Sequence, residues 1–507
     1  MEIKTTTAVL GTIELVSDLS AELPIEGDFT IPDYQPEIWK IVRTKAEPVI
    51  LGRLAVKNKA TVEGYVKLTV FYNSSAGGEL NSLTQRIPFS RQFELKGSVS
   101  ESCLVSAGAT VSYLNCRAVN ERRLDARGAL AISLTVPSFA SFEAKSSASG
   151  EGVWQKTDTV GWTRLCTTVS KQFSVEERLS VDGNDALGAT VIRSEATAVV
   201  DGVECAEGRA EVRGTVNLLA ALESGADNGF TIKRAIYKIP FIQLIDCETV
   251  KPSAEVTVRA AAVSCTVSGE VNAEGMLEAS VGCELELGVY ESGRTEILSD
   301  AFSTRYETET LCDSLSVAET TEKIRQSFSV NEGFDMPEGR LADWFVSNAA
   351  ATLSRNGDGY EAKVSALACF VAVDSEGSAF GFDKPFEITL PVRCVSPTAI
   401  LLDAQCVFSH LDCVEAGGRL SFKAEGELTG IVAGIRTVSA VKEIKADEGK
   451  PKPRADRAIS AYYASEGESV WDIARDFNTS PDGIFEENAL LDKTLSEPRV
   501  LLVPIVE

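Results

Sequence analysis

Histidine is nearly absent from this sequence, since His410 is the only one among 507 residues. It lies in the alternating segment 406–411, where we expect a structural residue of a strand. Any Ser-His-Asp or Cys-His catalytic group would have to use His410, and no partner motif accompanies it. The chain also lacks the Gly-x-x-x-x-Gly-Lys-Ser/Thr phosphate loop and a strand–Gly-x-Gly-x-x-Gly–helix unit. These absences predict a protein that is not an enzyme and that binds no cofactor.

Long apolar runs and closely spaced cysteine pairs are absent as well. There is no run of about 18 or more apolar residues, which excludes a membrane-spanning helix. The segment Met1 to Lys4 lacks the basic start and apolar stretch of a signal peptide, so we expect a cytoplasmic protein. The twelve cysteines form no Cys-x-x-Cys pair and lie mostly in apolar or alternating runs. We therefore expect buried thiols, with neither disulfides nor a metal site.

Positive charge is scarce relative to negative charge. The formal net charge is −25 and the isoelectric point is about 4.7. Such a surface repels nucleic acid and anionic lipid, because binding to either depends on Lys and Arg contacts with phosphate. Basic proteins are the favoured partners. The alternative interpretation is that the acidity only keeps the protein soluble.

Most of the first 440 residues alternate between apolar and polar side chains, as in residues 60–72. Period two places one face of a strand on a core and the other in water. Short strands separated by Gly, Asn and Asp turns are typical of antiparallel sandwiches. The sequence therefore predicts a mainly β protein.

The β-rich region repeats itself. Pro88, Pro240 and Pro385 follow similar strands and lie about 150 residues apart, which is the length of one domain. We predict three β modules, at residues 1–155, 156–310 and 311–440.

The first module resembles the SPOCS domain, a module of spore-coat proteins. The resemblance rests on a turn or short helix at Pro36-Glu37-Ile38, the strand at Glu63-Gly64, the segment Ile87-Pro88-Phe89-Ser90 and the segment Glu121-Arg122-Arg123-Leu124. It is best over residues 25–150, and the second and third modules are divergent relatives. The alternative is three unrelated sandwiches.

The composition changes at residue 441. Residues 441–457 are charged and contain prolines, which predicts a linker. Beyond it, residues 459–464 predict a strand, Ser469 caps a first helix and Pro481 begins a second. Asn488 is expected to end that helix in a left-handed conformation, before a last strand at residues 500–504. The order is strand, helix, helix, strand.

Residues 458–507 resemble a LysM domain, with Glu466 to Ala474 at the position of that family's Gly-Asp-Thr-Leu motif. LysM domains bind N-acetylglucosamine polymers between two loops, which correspond here to residues 467–470 and 488–491. The sequence departs from the family at Glu468, Ala489 and Pro498. The module has ten acidic and three basic side chains, a net charge of −7, which favours a protein ligand over a glycan.

Two apolar residues of this module have two interpretations each. Trp471 is either a partly buried core residue or a contact for a partner, since Trp is enriched at interface hot spots. Ile459 either packs within the sheet or forms a contact at the strand edge. The predicted partner- or glycan-binding residues are Ile459, Gly467, Glu468, Ser469, Val470, Trp471, Asn488, Ala489, Leu490 and Leu491.

SPOCS-like modules followed by a LysM-like module resemble the spore-coat morphogenetic proteins of clostridia. The resemblance implies a scaffold in the cytoplasm of the mother cell, at the forespore surface. Its implied partners are a SpoIVA-like ATPase of the coat basement layer and other coat proteins, together with self-association. The alternative function is binding of peptidoglycan or another N-acetylglucosamine polymer in the cell wall or spore cortex.

Overall fold

The computed structural model describes residues 3–75, 79–100, 102–181, 187–226, 229–357, 359–452 and 458–504. Strands make up nearly all of the regular structure, and the only two helices of the described residues lie near the C-terminus. The sheets are antiparallel. The structure thus confirms the predicted mainly β fold class.

The chain forms three β units of the same design and a small C-terminal module. Unit 1 comprises β1 (Lys4–Thr30), β2 (Lys40–Val56), β3 (Lys59–Asn73), β4 (Leu80–Glu94), β5 (Ser102–Cys103), β6 (Ser106–Asn120) and β7 (Arg123–Ser149). Unit 2 comprises β8 (Val153–Ser180), β9 (Thr190–Ala206), β10 (Arg209–Ala226), β11 (Gly229–Asp246), β12 (Glu255–Val267) and β13 (Met276–Ser303). Unit 3 comprises β14 (Tyr306–Asp335), β15 (Arg340–Asn356), β16 (Gly359–Val373), β17 (Ala379–Val392), β18 (Thr398–Ala416) and β19 (Arg419–Pro451). The C-terminal module comprises β20 (Ile459–Ala464), α1 (Val470–Asp476), α2 (Pro481–Glu487) and β21 (Arg499–Pro504).

Each unit combines a ribbon of long strands with a three-stranded meander. In the ribbon, the first strand pairs with the last, as β1 does with β7, and the last strand also pairs with the strand before it. The meanders are β2-β3-β4, β9-β10-β11 and β15-β16-β17. In unit 1, Val62 and Leu68 of the meander share a core with Leu130 and Leu134 of the ribbon. The alternating pattern of the sequence thus supplies the inward faces of two packed sheets.

Equivalent positions of the three meanders lie 150 residues apart and meet in a common core. Phe71, Ala221 and Val371 are all buried in this core. Phe345 of β15 also belongs to this core, and Lys45 of β2 and Glu195 of β9 occupy the position equivalent to it. We call these last three residues and the adjacent pair Arg193 and Asp343 the charged ring.

The charged ring connects all three units. Lys45 forms an ion pair with Glu195, and the Lys45 ammonium lies 5.0 Å from the centre of the Phe345 ring. The Arg193 guanidinium also lies 5.0 Å from that ring, and Arg193 Nη2 is 2.8 Å from Asp343 Oδ2. Burial opposes ionisation of Glu195, but the charges of Arg193 and Lys45 outweigh it and hold the pKa of this carboxyl below its ordinary value. The ring is therefore a fully paired set of charges, of which Lys45, Arg193 and Asp343 are buried and Glu195 is half-buried.

One local prediction differs from the structure, and one that left two alternatives open is decided by it. Residues 441–451, which we assigned to a linker, continue β19, in which a β-bulge at Lys442 lets Val441 and Ile444 both pack with Ala148 and Leu298. The rest of the predicted linker includes residues 453–457, which lie outside the described residues. The segment around Pro36 forms a turn, in which the amide of Gln35 donates to the Pro32 carbonyl at 2.9 Å.

Candidate functional site

The C-terminal module has the predicted order of strand, helix, helix and strand. β20 and β21 pair antiparallel, with Ile459 opposite Pro504 and Ala464 opposite Arg499. Both helices pack on one face of this two-stranded sheet. Their shared core contains Val470, Ile473, Ala474, Ile484, Leu501 and Val503.

Asn488 has a structural role that differs from the prediction. Its φ is −107°, so it does not adopt the left-handed conformation, which the next residue, Ala489, takes with a φ of 49°. The Asn488 side chain instead donates to the carbonyls of Ile484 at 2.9 Å and Leu502 at 2.6 Å. Its Oδ1 accepts from the Leu502 amide at 2.7 Å. Asn488 therefore joins α2 to β21, because three hydrogen bonds hold its amide in place.

The first predicted ligand loop is held by contacts within the module. Gly467 donates to the Leu495 carbonyl at 2.9 Å, and Leu495 donates back to Glu468 at 3.0 Å. The Glu468 carboxylate accepts from the Tyr462 hydroxyl at 3.0 Å and from the Ser465 amide at 2.8 Å. The Tyr462 pKa is raised because this hydroxyl donates to a carboxylate. Gly467 has a φ of 85°, a conformation that favours glycine.

The remaining predicted residues are divided between the core and the surface. Val470 is buried, Leu490 packs against the core of the module, and Ser469 precedes α1 without a capping hydrogen bond from its side chain. Leu491 is almost fully exposed, at 96%. The two predicted loops therefore present one large apolar side chain to solvent.

Trp471 attaches the module to the β units. It is only 9% exposed, and its ring packs edge-on against Phe302 of β13 with ring centres 4.9 Å apart. Its Nε1 donates to Asp300 Oδ2 at 2.8 Å. Arg475, one helical turn further along α1, forms an ion pair with the same carboxylate. We call Asp300, Phe302, Trp471 and Arg475 the docking contact.

Sequence reasoning identified Trp471 but missed its acceptor. Residues Asp300 and Phe302 belong to an ordinary alternating strand, in which nothing marks them as a receiving surface. The available signal was the spacing of Trp471 and Arg475, since residues four apart share one face of a helix.

The outer face of the two-stranded sheet is apolar and open to solvent. Ile459 and Tyr463 of β20 are 48% and 67% exposed, and Val500 and Leu502 of β21 are exposed beside them. The pairing places Tyr463 opposite Val500 and Ala461 opposite Leu502, so the patch is continuous. We call Ile459, Tyr463, Val500 and Leu502 the outer sheet face. Of these residues, the sequence analysis singled out only Ile459.

Neither a metal site nor a membrane span is found in the described part of the chain. Among the described residues, no three His, Cys, Asp or Glu side chains are grouped so that they could hold a metal ion. None of the described helices has the length and hydropathy needed to cross a membrane.

Comparison with known protein families gave a match in the first unit. Searches of curated proteins and of solved structures each found no match. Residues 37–119 match the family model described as SipL, SPOCS domain. These residues contain the meander of unit 1 and most of β6. The first unit is thus similar to the SPOCS domain of SipL, which supports a sporulation-related protein.

Proposed function

We propose that this protein is a non-enzymatic scaffold of spore coat assembly, and that its C-terminal module binds a SpoIVA-like ATPase of the coat basement layer. The similarity of residues 37–119 to the SPOCS domain of SipL supports the sporulation context. The LysM resemblance of the C-terminal module supports its role as the binding part. The exposed outer sheet face is the observation that carries the proposal, because it offers a continuous apolar surface on a small rigid sheet.

The chemistry of this surface suits a protein partner. Large apolar side chains exposed together mark interaction sites more often than the same side chains exposed singly. The surrounding module has a net charge of −7, so a partner with an apolar centre and basic neighbours fits best. Trp471 already contacts Phe302 and Asp300, so it is not open to a partner. The outer sheet face therefore offers a larger exposed apolar surface than the single Leu491 side chain of the predicted loops.

A glycan ligand is the second candidate, and two contacts weigh against it. The LysM resemblance assigns ligand binding to the loops that contain Glu468 and Asn488. The polar atoms of both side chains already accept or donate hydrogen bonds within the module. A sugar would have to compete with these bonds.

Avidity supplies the strength that one small interface lacks. A single face of this size buries only a few hundred Å², near the weak end for protein interfaces. A polymerised basement layer presents many copies of the same site, and a scaffold that self-associates binds several at once. Linked contacts of this kind gain about 10²–10⁴-fold in apparent affinity.

A binding experiment with the full chain tests the proposal. We expect purified SpoIVA-like ATPase to be captured by the wild type and at least about tenfold less by Ile459→Glu, because a charge in an apolar interface is costly to bury. Val414→Glu is the matched control, since Val414 is also an exposed strand residue but lies in unit 3. Tight binding of N-acetylglucosamine oligomers with no capture of the ATPase would refute the scaffold and support the glycan ligand.

A further inference from the structure

Units 2 and 3 enclose an open groove of about 1230 Å³. Strands β9 and β12 of unit 2 line one side, and β14 and β18 of unit 3 line the other. Two hydrogen bonds bridge the units here, from Arg325 to the Val200 carbonyl at 3.2 Å and from Gln405 to the Ala260 carbonyl at 3.1 Å. The volume exceeds the roughly 300–1,000 Å³ of typical small-molecule pockets. Its size and strand walls fit an extended polypeptide.

The corresponding interface between units 1 and 2 is filled by side chains of β3. The Tyr65 hydroxyl donates to the Val263 carbonyl of β12 at 2.5 Å. The Arg86 guanidinium lies 4.7 Å from the centre of the Tyr65 ring, as in a cation–π contact. Lys67 donates to the Ser194 carbonyl at 2.7 Å. The side chains of Tyr65 and Lys67 thus occupy the space between units 1 and 2.

Unit 2 has small polar residues at the equivalent positions. In unit 1, Lys67 lies opposite Arg86, and in unit 2 the equivalent Asn217 lies opposite Lys238. Thr215 is the equivalent of Tyr65, 150 residues further along the chain. Thr215, Asn217 and Lys238 all line the groove. Unit 2 therefore has a cation, Lys238, at the position of Arg86, but it lacks an aromatic ring at the position of Tyr65.

The hydrogen-bond acceptor of Tyr65 in the filled interface, a bulge carbonyl of β12, has an equivalent in unit 3. Val263 is the extra residue of a β-bulge in β12, between Ala262 and Ser264. The same bulge recurs in β18 with Ser409 as the extra residue, and Ser409 lines the groove. The groove thus has a bulge carbonyl to accept a hydroxyl, and Lys238 forms no ion pair among the described residues.

We propose that the groove binds an extended segment of a partner protein and that a tyrosine of that segment fills the place of Tyr65. Its ring would lie under Lys238, as Tyr65 lies under Arg86, and its hydroxyl would donate to the Ser409 carbonyl. The backbone of the segment can pair with β12, which among the described strands pairs with β13 alone. This interaction is independent of the C-terminal module and of the ATPase.

Peptide binding to the full chain tests this assignment. The probe is a labelled synthetic peptide with the sequence of residues 61–69, whose central residue is tyrosine, and its variants carry phenylalanine or leucine there. By fluorescence anisotropy we expect the phenylalanine peptide to bind about fivefold more weakly, since it lacks one hydrogen bond. The leucine peptide loses the cation–π contact too and should bind at least about tenfold more weakly.

Variants of the chain distinguish the groove from other surfaces. Thr215→Tyr combined with Asn217→Lys copies the side chains of unit 1 into the groove and should abolish binding of the tyrosine peptide. Ser365→Tyr is the control, because Ser365 is exposed on the meander of unit 3, and it should bind like the wild type. Lys238→Ala should weaken binding about two- to fivefold. Because Lys238 is exposed, this variant should fold like the wild type.

Three results would overturn the proposal. The first is equal affinity for the tyrosine and leucine peptides, and the second is unchanged binding by a folded Thr215→Tyr/Asn217→Lys variant. The third is a combined result: the wild type binds none of the peptides but self-associates in sedimentation experiments, and the Thr215→Tyr/Asn217→Lys variant does not self-associate. That last result would assign the groove to a second copy of this chain.

Discussion

Glu223 gives the protein a pH-dependent stability that can be calculated from its surroundings. The residue lies near the end of β10, three residues before its last residue, is only 5% exposed, and its Oε1 has no hydrogen-bond partner. Burial, and secondarily the charge of Glu79, raises the pKa of Glu223 to about 7. The equivalent positions in units 1 and 3 are Asn73 and Val373, which carry no charge.

The sign of the effect follows from the raised pKa. Because the folded protein holds this proton more tightly than the unfolded chain, stability falls as the pH rises from about 4.5 to about 7 and is constant above that range. A difference of about 2.5 pKa units corresponds to roughly 3 kcal/mol in full. Between pH 5 and pH 8, we therefore expect Glu223 alone to lower the free energy of unfolding by about 2 kcal/mol.

Urea unfolding at pH 5 and pH 8, followed by circular dichroism, measures this loss. Glu223→Gln should be more stable than the wild type at pH 8 by about 2 kcal/mol and should differ little from it at pH 5. Glu338→Gln is the matched control, because Glu338 is exposed and its replacement should change neither value. The reasoning fails if Glu223→Gln retains the full pH dependence of the wild type.

Three further perturbations test the ring, the docking contact and the module. Arg193→Met should lower the free energy of unfolding by about 3–5 kcal/mol, because it leaves Asp343 buried without its partner. The double variant Arg193→Met/Asp343→Leu should recover most of this loss. A loss below about 1 kcal/mol in the single variant would contradict this reasoning. Asp300→Ala should increase hydrogen exchange in α1, because Trp471 loses its acceptor, and unchanged exchange there would mean that the docking contact does not hold the module. Gly467→Ala should lower the stability of the module by about 1 kcal/mol in thermal unfolding, because alanine is strained at a positive φ, and an unchanged midpoint would speak against that strain.

Patterns that are local in sequence predicted the structure well. Period two in residues 60–72 predicts β3, and the helical spacing of Val470, Ile473 and Ala474 predicts α1. In both cases the side chains that set the period are neighbours along the chain, so the pattern reports directly on which face is buried.

Features that depend on distant contacts could not be predicted in this way. Residues 441–451 have the composition of a linker, yet they pair with β14, and only that partner strand makes them a strand. Trp471 could be recognised as important, but its acceptor Asp300 lies 171 residues away. The sequence repeat already aligns Tyr65 with Thr215, but the groove that Thr215 lines is formed by strands of units 2 and 3 that lie far apart in the sequence, so only the folded chain reveals it.

The charged ring limits how copies of this chain can combine. At one shared position unit 1 contributes a lysine, unit 2 a glutamate and unit 3 an aromatic ring. Three copies of unit 1 would bring together three ammonium groups, and three copies of unit 3 would leave Asp343 without Arg193, and like or unpaired charges buried together are strongly unfavourable. The ring is therefore complete only where one unit of each kind meets the other two, so a densely packed assembly is biased against contacts between three like units.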